Sequence, residues 1–574
     1  MKKIIAFFVA IILPLVAGAV ERIEILSDED ATLYSQIFVL QEKEKIESAK
    51  KLEAKIKDKS LMNEVLYQRY VSKTYRTRGN ELQDWMNKYY DMPGADRLAK
   101  IANIKKVSVH KPVVPSIMTG KDYIETAQSE TWTAKTYNDK ITKNINKFKK
   151  AIRSGSSKTA RNILESRSLK KKISESDYGR LAGRLSFLYY TNGEYELAKK
   201  WGFVASDANS EYGLWSMGLL YFKEQKYAES QKYFSKILNL TQINNARKTE
   251  AAFWAGRAAS IVGNSNVAEK YWKIAAVHPM SFYGALASTM LGDVPYYEFF
   301  DQECSDEDIE ELKQHKYGKK ALALIQVGRK DRAERYLKYL VTSKAADKTL
   351  HAINAVSSLY GLPSVSILVS GVMRDRGIME INDDIIYSAQ YPLPDWEPMG
   401  GWSIDRALLF AITRQESGFK PTAKSNAGAN GLMQIMPSTA KRVARKNDVK
   451  MSDIDMSKPE HNMFLGQQYI VDLLSHQAIK NNIIKMLVAY NAGMGNLVKF
   501  EKSFSTSDPL LYIESFPAYE TRNYIKRVMS NLWLYRARLN QPLTALEELA
   551  DGHWPYYNSE DAYVKNSENG QSYL

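Results

Sequence analysis

The feature that most constrains the fold is a run of helical patterns from about residue 20 to about residue 380, with few alternating β patterns. Several stretches combine a short turn with alanine and aromatic residues at helical spacing: Gly193–Ala198, Lys226–Phe234, Asn266–Trp272 and Arg329–Leu337. Their alanines recur 30, 40 and 65 residues apart, so the interval is irregular. The pattern predicts an array of helical hairpins rather than a strict repeat of about 34 residues.

Charge and cysteine content limit the classes of partner and of stabilisation. The 574 residues include 80 Lys+Arg and 65 Asp+Glu, which gives a net charge of +15. This balance favours polyanionic partners, namely nucleic acid, anionic lipid or an acidic cell-wall polymer. Residues 140–172 are strongly basic, which fits either a solvated helix face or a binding patch. Cys304 is the only cysteine, so an intramolecular disulfide is excluded and stability must come from packing.

The first 19 residues have the pattern of a signal peptide. A basic start, Met1–Lys3, precedes the apolar stretch Ile4–Val16 and the small-x-small end Ala17–Ala19. We expect cleavage after Ala19, with an uncleaved membrane anchor as the alternative. No later stretch reaches the roughly 18 apolar residues that span a bilayer, so we expect a soluble mature chain. Export makes nucleic acid the least favoured polyanionic partner.

The clearest predicted domain boundary is Tyr391–Gly401, whose three prolines and two glycines cannot continue a helix. We predict the following segments: a signal peptide at 1–19, a helical region at 20–380 with a loop at 107–115, a linker at 381–400, a second domain at 401–540 and a polar tail at 541–574. The tail is irregular in composition, so we expect it to be loosely attached or disordered.

One carboxylate, Glu416, stands at the end of an apolar helix in the second domain. Ser403 is predicted as the N-cap of this helix, Asp405 falls in its first turn, and Gly418 can end it. The negative end of the helix dipole and apolar neighbours should both raise the pKa of Glu416, which keeps it protonated for general acid catalysis. Arg414, two residues away, should point elsewhere.

The segments after Glu416 supply groups that suit a polar ligand. Ser425–Gly431 offers polar side chains and glycines that let a ligand approach the backbone. Gln434 adds an amide and Met436 adds pliable apolar surface. Further along, Tyr490 ends a helix at a glycine, and Glu520 lies just before a long helix. Together and in this order, these segments indicate a binding site far more specifically than any one of them alone.

The region from about Gly401 to Arg538 resembles the catalytic domain of the soluble lytic transglycosylases, which has a lysozyme-like fold. The matching motifs are Glu416-Ser417, Gly431-Leu-Met-Gln434, Ala489-Tyr-Asn-Ala-Gly493 and Glu520-Thr-Arg522. Upstream, Trp254–Ala258 and Ser281–Ala287 are similar to the helical superhelix that precedes that domain. The resemblance implies an all-α fold class: an α-helical superhelical solenoid followed by a mostly α-helical catalytic domain.

The resemblance also implies an activity. Glu416 would be the single catalytic acid and base, cleaving peptidoglycan between N-acetylmuramic acid and N-acetylglucosamine with formation of 1,6-anhydro ends. The residues that would line the sugar groove are Ser425, Gln434, Met436, Tyr490 and Glu520. No cofactor and no metal are implied. We expect a periplasmic monomer that binds glycan strands, with other cell-wall enzymes as further candidate partners.

Two alternatives follow from the residues themselves. No other Asp or Glu lies between Glu416 and Asp448, so a nucleophile held by the substrate itself is the simplest way to complete the reaction. Glu520 or a more distant acid could instead activate water, which would make the chain a hydrolytic muramidase. A non-catalytic scaffold that binds peptidoglycan for envelope machinery is the second alternative. The motif before Glu520 also departs from the family, with Phe516–Tyr519 where Ile-Pro-Phe is common.

Overall fold

The computed structural model describes residues 23–120, 137–241, 243–378 and 385–562. The predicted signal peptide and its cleavage site after Ala19 lie outside these ranges. None of the helices within them is long and apolar enough to span a membrane.

The described residues are mostly helical, so the predicted all-α fold class, a helical array followed by a mostly helical domain, is confirmed. The helices are α1 (Asp28–Glu42), α2 (Ile46–Glu53), α3 (Met62–Tyr70), α4 (Gly79–Tyr89), α5 (Ala95–Ile104), α6 (Asp139–Arg153), α7 (Ser157–Leu164), α8 (Arg167–Lys170), α9 (Glu175–Thr191), α10 (Tyr195–Asp207), α11 (Glu211–Lys223), α12 (Tyr227–Leu238), α13 (Asn245–Ile261), α14 (Ser265–Ala276), α15 (Phe282–Met290), α16 (Asp306–Lys313), α17 (Lys316–Gln326), α18 (Lys330–Leu340), α19 (Asp347–Leu359), α20 (Pro363–Asp375), α21 (Arg406–Ser417), α22 (Pro437–Lys446), α23 (Pro459–Leu474), α24 (Ile483–Ala492), α25 (Met494–Ser503), α26 (Pro509–Ser515), α27 (Tyr519–Arg538) and α28 (Thr544–Ala550).

Two short strands and two 3-10 turns complete the regular structure of the described residues. Strand β1 (Glu298–Phe300) pairs in parallel with β2 (Ile385–Tyr387), in the register Glu298 to Ile385. The 3-10 turns are Ser388–Gln390 and Met451–Asp453.

The chain divides into two compact units, each made of two segments. In the first unit the described residues are 23–120 and 301–378; in the second they are 137–241, 243–300 and 385–562. The first unit holds α1–α5 and α16–α20, and the second holds the other helices and both strands. The predicted domain boundaries at 380, 400 and 540 stay predictions.

The hairpins predicted from the sequence form where the pattern places them. In the second unit, the turns before α10, α12 and α14 each pass through a residue with positive φ: Gly193, Gln225 and Gly263. Glycine inside a helix permits the close contacts between neighbouring helices. At Gly256 of α13, a Cβ would lie 2.6 Å from the indole of Trp272 on α14. The combination of a turn residue with small and aromatic residues therefore specifies each hairpin.

The C-terminal helices of the second unit pack on one another and on its last hairpin helix. Long helix α27 lies against α21, and the rings of Phe282 on α15 and Trp533 on α27 stack with centroids 5.2 Å apart. Both side chains are almost fully buried. The hairpins at 137–300 and the helices after residue 400 thus share an apolar core within this unit.

Two local expectations near α21 are wrong. The helix begins at Arg406 with Asp405, not Ser403, at the N-cap position. The segment after residue 540 is not loosely attached as far as Asp561, because it satisfies the buried Asp405 carboxylate. Ser559 donates a hydrogen bond of 2.7 Å and the Glu560 amide donates one of 3.0 Å to that carboxylate. The remainder of the predicted tail, 563–574, lies outside the described residues.

Candidate active site

Helix α21 presents Glu416 in its last turn. The helix ends at Gly418, which adopts the left-handed conformation with φ 55°, as predicted for a glycine at this position. Phe419 follows, also with positive φ, and its ring is fully buried against Phe410 and Trp396. The apolar anchor and the left-handed turn together fix the position of the helix end that carries the carboxyl group.

The pKa of Glu416 is raised to about 7. Burial of the carboxyl group is the main cause, and the negative charge of Glu520 acts in the same direction. The nearby Tyr524 hydroxyl opposes them by favouring the ionised form, which lowers the pKa. The predicted rise in pKa is therefore confirmed, and at neutral pH a large fraction of Glu416 carries the proton that a general acid must donate.

Arg414 is turned away from Glu416, as predicted. Its guanidinium donates to the backbone oxygen of Gln390 at 2.9 Å and to the Asn531 side chain at 3.3 Å. It also lies over the ring of Tyr391. The guanidinium of Arg414 therefore contacts the residues that pack against α21, and it does not stabilise the ionised form of Glu416.

The segment from Lys424 to Ile435 folds into a compact loop with two isolated bridges, Lys424 to Asn430 and Asn430 to Ile435. The half-buried Ser425 hydroxyl accepts a hydrogen bond of 3.0 Å from the Ala429 amide. In the structure this side chain therefore stabilises the loop itself.

Hydrogen bonds from Asn462 on α23 hold the loop in place. This residue was not predicted from the sequence. Its side-chain oxygen accepts from the Met433 amide at 2.8 Å, and its amide donates to the Asn430 carbonyl at 3.2 Å. At Gly431, with φ 78°, a Cβ would lie 2.0 Å from the Asn462 side chain. Only glycine fits this close approach. A fully buried asparagine among apolar residues of α23 was the signal that could have identified it.

Gln434 and Met436 lie at the exit of the loop. Gln434 has φ 46° and donates from its side chain to the Gly431 carbonyl at 2.8 Å. Met436 is the N-cap residue of α22 and is 40% exposed. The helix itself begins at Pro437, a residue that suits the first helical position. Because the Met436 side chain is exposed, it remains available to a ligand at the surface.

Tyr490 connects the loop to Glu416. Its hydroxyl donates a 2.7 Å hydrogen bond to the Met433 carbonyl, and its ring lies between those of Tyr469 and Tyr524, with centroids 5.4 and 6.4 Å away. Burial and the negative charge of Glu416 raise its pKa well above the ordinary value. Tyr490 is therefore a neutral group beside the carboxyl, held by the backbone of the loop.

Helix α27 brings Glu520 and Tyr524 to Glu416 from the other side. Glu520 is exposed in the first turn of the helix, and Tyr524 follows one turn later. The adjacent Thr521 donates to the Asn491 side chain at 2.8 Å, which ties this turn to the end of α24. Tyr524 was not predicted as a site residue; its spacing of four residues from Glu520 was the available signal.

The structure thus brings Glu416, Tyr490 and Glu520 together and connects them through Met433 to the loop that carries Ser425, Gln434 and Met436. Their roles toward a ligand stay predictions. Within the described ranges, no group of three or more His, Cys, Asp or Glu side chains is arranged to hold a metal ion.

Comparison with known proteins defines the class of this site. Residues 397–513 match the family model described as "Transglycosylase SLT domain". Helices α21 to α25 and most of α26 therefore belong to an SLT domain, and α27 follows directly after the matched range.

Two relatives match part of the chain. The chain is 37% identical over 139 residues to the soluble lytic murein transglycosylase of Escherichia coli, and 35% identical over 162 residues to that of Salmonella typhimurium. These matches cover 24% and 27% of this chain, and 21% and 24% of the relatives, so the chain spans about a quarter of their length.

Similarity of fold covers almost the whole chain. The crystal structure of the 70 kDa soluble lytic transglycosylase from E. coli matches 92% of this chain and 100% of its own, with a TM-score of 0.56 at 16% identity. An inactive mutant of the lytic transglycosylase from Pseudomonas aeruginosa matches 87% and 76%, with a TM-score of 0.55 at 17% identity. The chain thus contains an SLT domain, and its fold is similar to that of the solved soluble lytic transglycosylases.

Proposed function

We propose that this chain is a peptidoglycan lytic transglycosylase. It cleaves the β-1,4 bond between N-acetylmuramic acid and N-acetylglucosamine without water and leaves 1,6-anhydro ends. The observation that carries the proposal is Glu416, a largely buried carboxyl group whose pKa of about 7 lets it act first as an acid and then as a base. It lies in the SLT domain, among the groups that the family motifs mark.

The reaction needs one proton to be given and one to be taken. Protonated Glu416 donates its proton to the glycosidic oxygen as the bond from that oxygen to C1 of the muramic residue breaks. The resulting carboxylate then accepts the proton of the muramic C6 hydroxyl as its oxygen bonds to C1. Glu416 is thereby restored to its starting form, and the proposed reaction consumes no water.

The other groove residues bind and orient the glycan strand. Gln434 and Ser425 offer polar groups on the loop, and exposed Met436 offers apolar surface for a sugar face. Neutral Tyr490 lies beside the reacting group, and Glu520 at the rim accepts hydrogen bonds from sugar hydroxyls. Tyr524 contacts the carboxylate that forms after proton donation.

Hydrolysis is a second candidate because of the position of Glu520. This exposed carboxylate lies near enough to Glu416 to raise its pKa, so the groove holds a second acid that could activate water. The exposed rim position favours a sugar-binding role instead, because a base that activates water works best when positioned and partly desolvated.

Export and location belong to the same proposal. We propose that the chain is cut after Ala19 and acts in the periplasm as a monomer, with its helical region ending near residue 380 and its catalytic domain spanning about 401–540. The mass of the mature chain from the periplasmic fraction tests the cleavage site. An intact N-terminus in that measurement would refute it.

The activity is tested by digesting purified peptidoglycan and analysing the soluble products by mass spectrometry. Transglycosylation gives products one water lighter than the hydrolysed ones, and Glu416→Gln should abolish both solubilisation and these products while the variant remains folded. Products with reducing ends from the original protein would instead support the muramidase. Unchanged turnover by Glu416→Gln would remove Glu416 from the mechanism.

A further inference from the structure

A buried ion cluster lies within the second unit, on the side of α27 remote from Glu416. Its members share near-complete burial and come from the hairpins and the C-terminal helices alike: Glu211 of α11, Arg247 and Glu250 of α13, Glu514 of α26, and Arg522 and Lys526 of α27. Three acids face three bases. Such a cluster is costly to bury unless every charge is paired, so its geometry is strongly determined.

Every member has an oppositely charged neighbour. Arg247 is 2.5 Å from both Glu211 and Glu250, and Lys526 pairs with Glu250 and, at 3.0 Å, with Glu514. Tyr283 of α15 also donates to Glu514 at 2.7 Å.

Glu514 and Lys526 both stay charged despite their burial. Burial alone would raise the pKa of Glu514, but Lys526 and Arg522 hold it below its ordinary value. Burial alone would lower the pKa of Lys526, but Glu250 and Glu514 hold it above its ordinary value. Lys526 thus joins hairpin helix α13 to the C-terminal helices α26 and α27 by its charge.

Arg522 fixes the start of α27. Its guanidinium donates to the carbonyls of Phe516 at 2.6 Å and Pro517 at 3.2 Å, and it lies over the ring of Phe187 on α9. The turn between α26 and α27 is therefore held on the hairpin side by a buried cation.

The two faces of α27 carry different groups. Arg522 and Lys526 are four residues apart and share the face toward the ion cluster, whereas Glu520 and Tyr524 share the face toward Glu416. A rotation or shift of α27 that loosens the first face must move the second. The charge of Glu416 also acts on Tyr490 of α24, which the loop backbone holds independently of α27.

We propose that Lys526, Glu250 and Glu514 are positioning residues for the reaction, which hold Tyr524 and Glu520 against the catalytic carboxyl group. The helical hairpins are then part of the active site and not only a platform for it. This inference rests on the proposed function only for its kinetic readout, because the ionisation of Glu416 can be measured without turnover.

The test is a charge-balanced double variant, Glu250→Gln with Lys526→Met. It removes one acid and one base and leaves Arg247 paired with Glu211 and Arg522 near Glu514. Glu250→Gln alone is a milder variant, because Lys526 keeps Glu514 as a partner. The control is Arg257→Met, which removes the 2.8 Å ion pair with Asp508, another contact between hairpins and SLT domain that does not involve α27.

Two readouts are compared. The first is the alkaline limb of the kcat/KM profile on peptidoglycan. The second is the pKa of Glu416 from carbon-13 NMR of glutamate-labelled protein, assigned by comparison with Glu416→Gln. Displacement of α27 changes the burial of Glu416, the proximity of Tyr524 and the charge of Glu520 together, so we expect the double variant to shift this pKa by about 0.5 unit or more. We also expect kcat to fall about fivefold or more, with KM changed by less than about twofold.

A purely structural cluster would lower the Tm of the double variant and leave the pKa of Glu416 in place, and this result overturns the proposal. An equal shift in Arg257→Met also overturns it. If the double variant does not fold, a smaller shift in Glu250→Gln is the expected result, and no shift there contradicts the proposal. If the wild type yields no anhydro products, the proposed function fails, but the NMR comparison still decides the positioning role.

Discussion

The Tyr524 hydroxyl contacts the Glu416 carboxyl group from α27, one helical turn after Glu520 on the same face. The buried hydroxyl makes no hydrogen bond of ordinary length among the described residues, so it acts on Glu416 through proximity. Tyr524 and Glu520 therefore act on the pKa of Glu416 in opposite directions: the tyrosine lowers it and the second carboxylate raises it. This balance leads to several testable consequences.

Activity should fall as the pH rises through neutrality. The free enzyme must hold a proton on Glu416 to protonate the leaving oxygen, and the pKa of that group is about 7. We expect kcat/KM on peptidoglycan to fall about tenfold per pH unit well above pH 7. Steady-state rates between pH 5 and 9, with circular dichroism to verify folding, measure this. A flat profile across that range would contradict a protonated Glu416 as the acid.

Replacing either neighbour should move this profile in a predictable direction. Tyr524→Phe removes the hydroxyl that favours the carboxylate, so the pKa of Glu416 and the alkaline limb should rise. Glu520→Gln removes a nearby negative charge, so both should fall. Shifts of about 0.5 pH unit are expected. Shifts of the same sign in the two variants would show that they act through a general distortion of the groove.

Gly431 should be much less tolerant of alanine than Gly428, although both have positive φ. At Gly431 a Cβ would lie 2.0 Å from Asn462 and 2.5 Å from the Met456 carbonyl, whereas at Gly428 it meets open space. We expect Gly431→Ala to lower the free energy of unfolding by about 3 kcal/mol and Gly428→Ala by about 1 kcal/mol. Urea unfolding of the two variants measures the difference. Equal losses would mean that the fit of Gly431 against Asn462 is not what fixes the loop.

The segment after α28 should stabilise α21. Deleting the residues after Tyr556 removes the donors to Asp405 from Ser559 and the Glu560 amide and leaves a buried carboxylate poorly paired. We expect the free energy of unfolding to fall by about 3 kcal/mol or more. The matched control ends the chain after Asp561 and keeps these contacts. Equal Tm values for the two truncated chains would contradict a stabilising role of this segment.

Local patterns were sufficient to predict several features. The hairpin turn at Gly193 and the helix end at Gly418 depend on residues next to each other in the chain. The raised pKa of Glu416 followed from its place at the end of an apolar helix. Residues that act across long sequence separations were not predictable in this way: Asn462 supports a loop about thirty residues earlier, and Asp405 is satisfied about 150 residues later. Their partners depend on tertiary packing, which local periodicity does not report.

The role of the ion cluster illustrates the same limit. Glu250 and Lys526 are 276 residues apart, and each alone is an ordinary charged residue in a helical pattern. Only the fold shows that they meet on one face of α27, the helix whose other face carries Glu520 and Tyr524.

In the proposed transglycosylation, the attacking group belongs to the substrate and Glu416 alone exchanges the protons. Digestion of purified peptidoglycan in water enriched in oxygen-18, followed by mass spectrometry of the products, tests it most directly. We expect anhydro-muramic ends without the heavy isotope, and no products from Glu416→Gln. Reducing muramic ends that carry oxygen-18 as the primary products would contradict it.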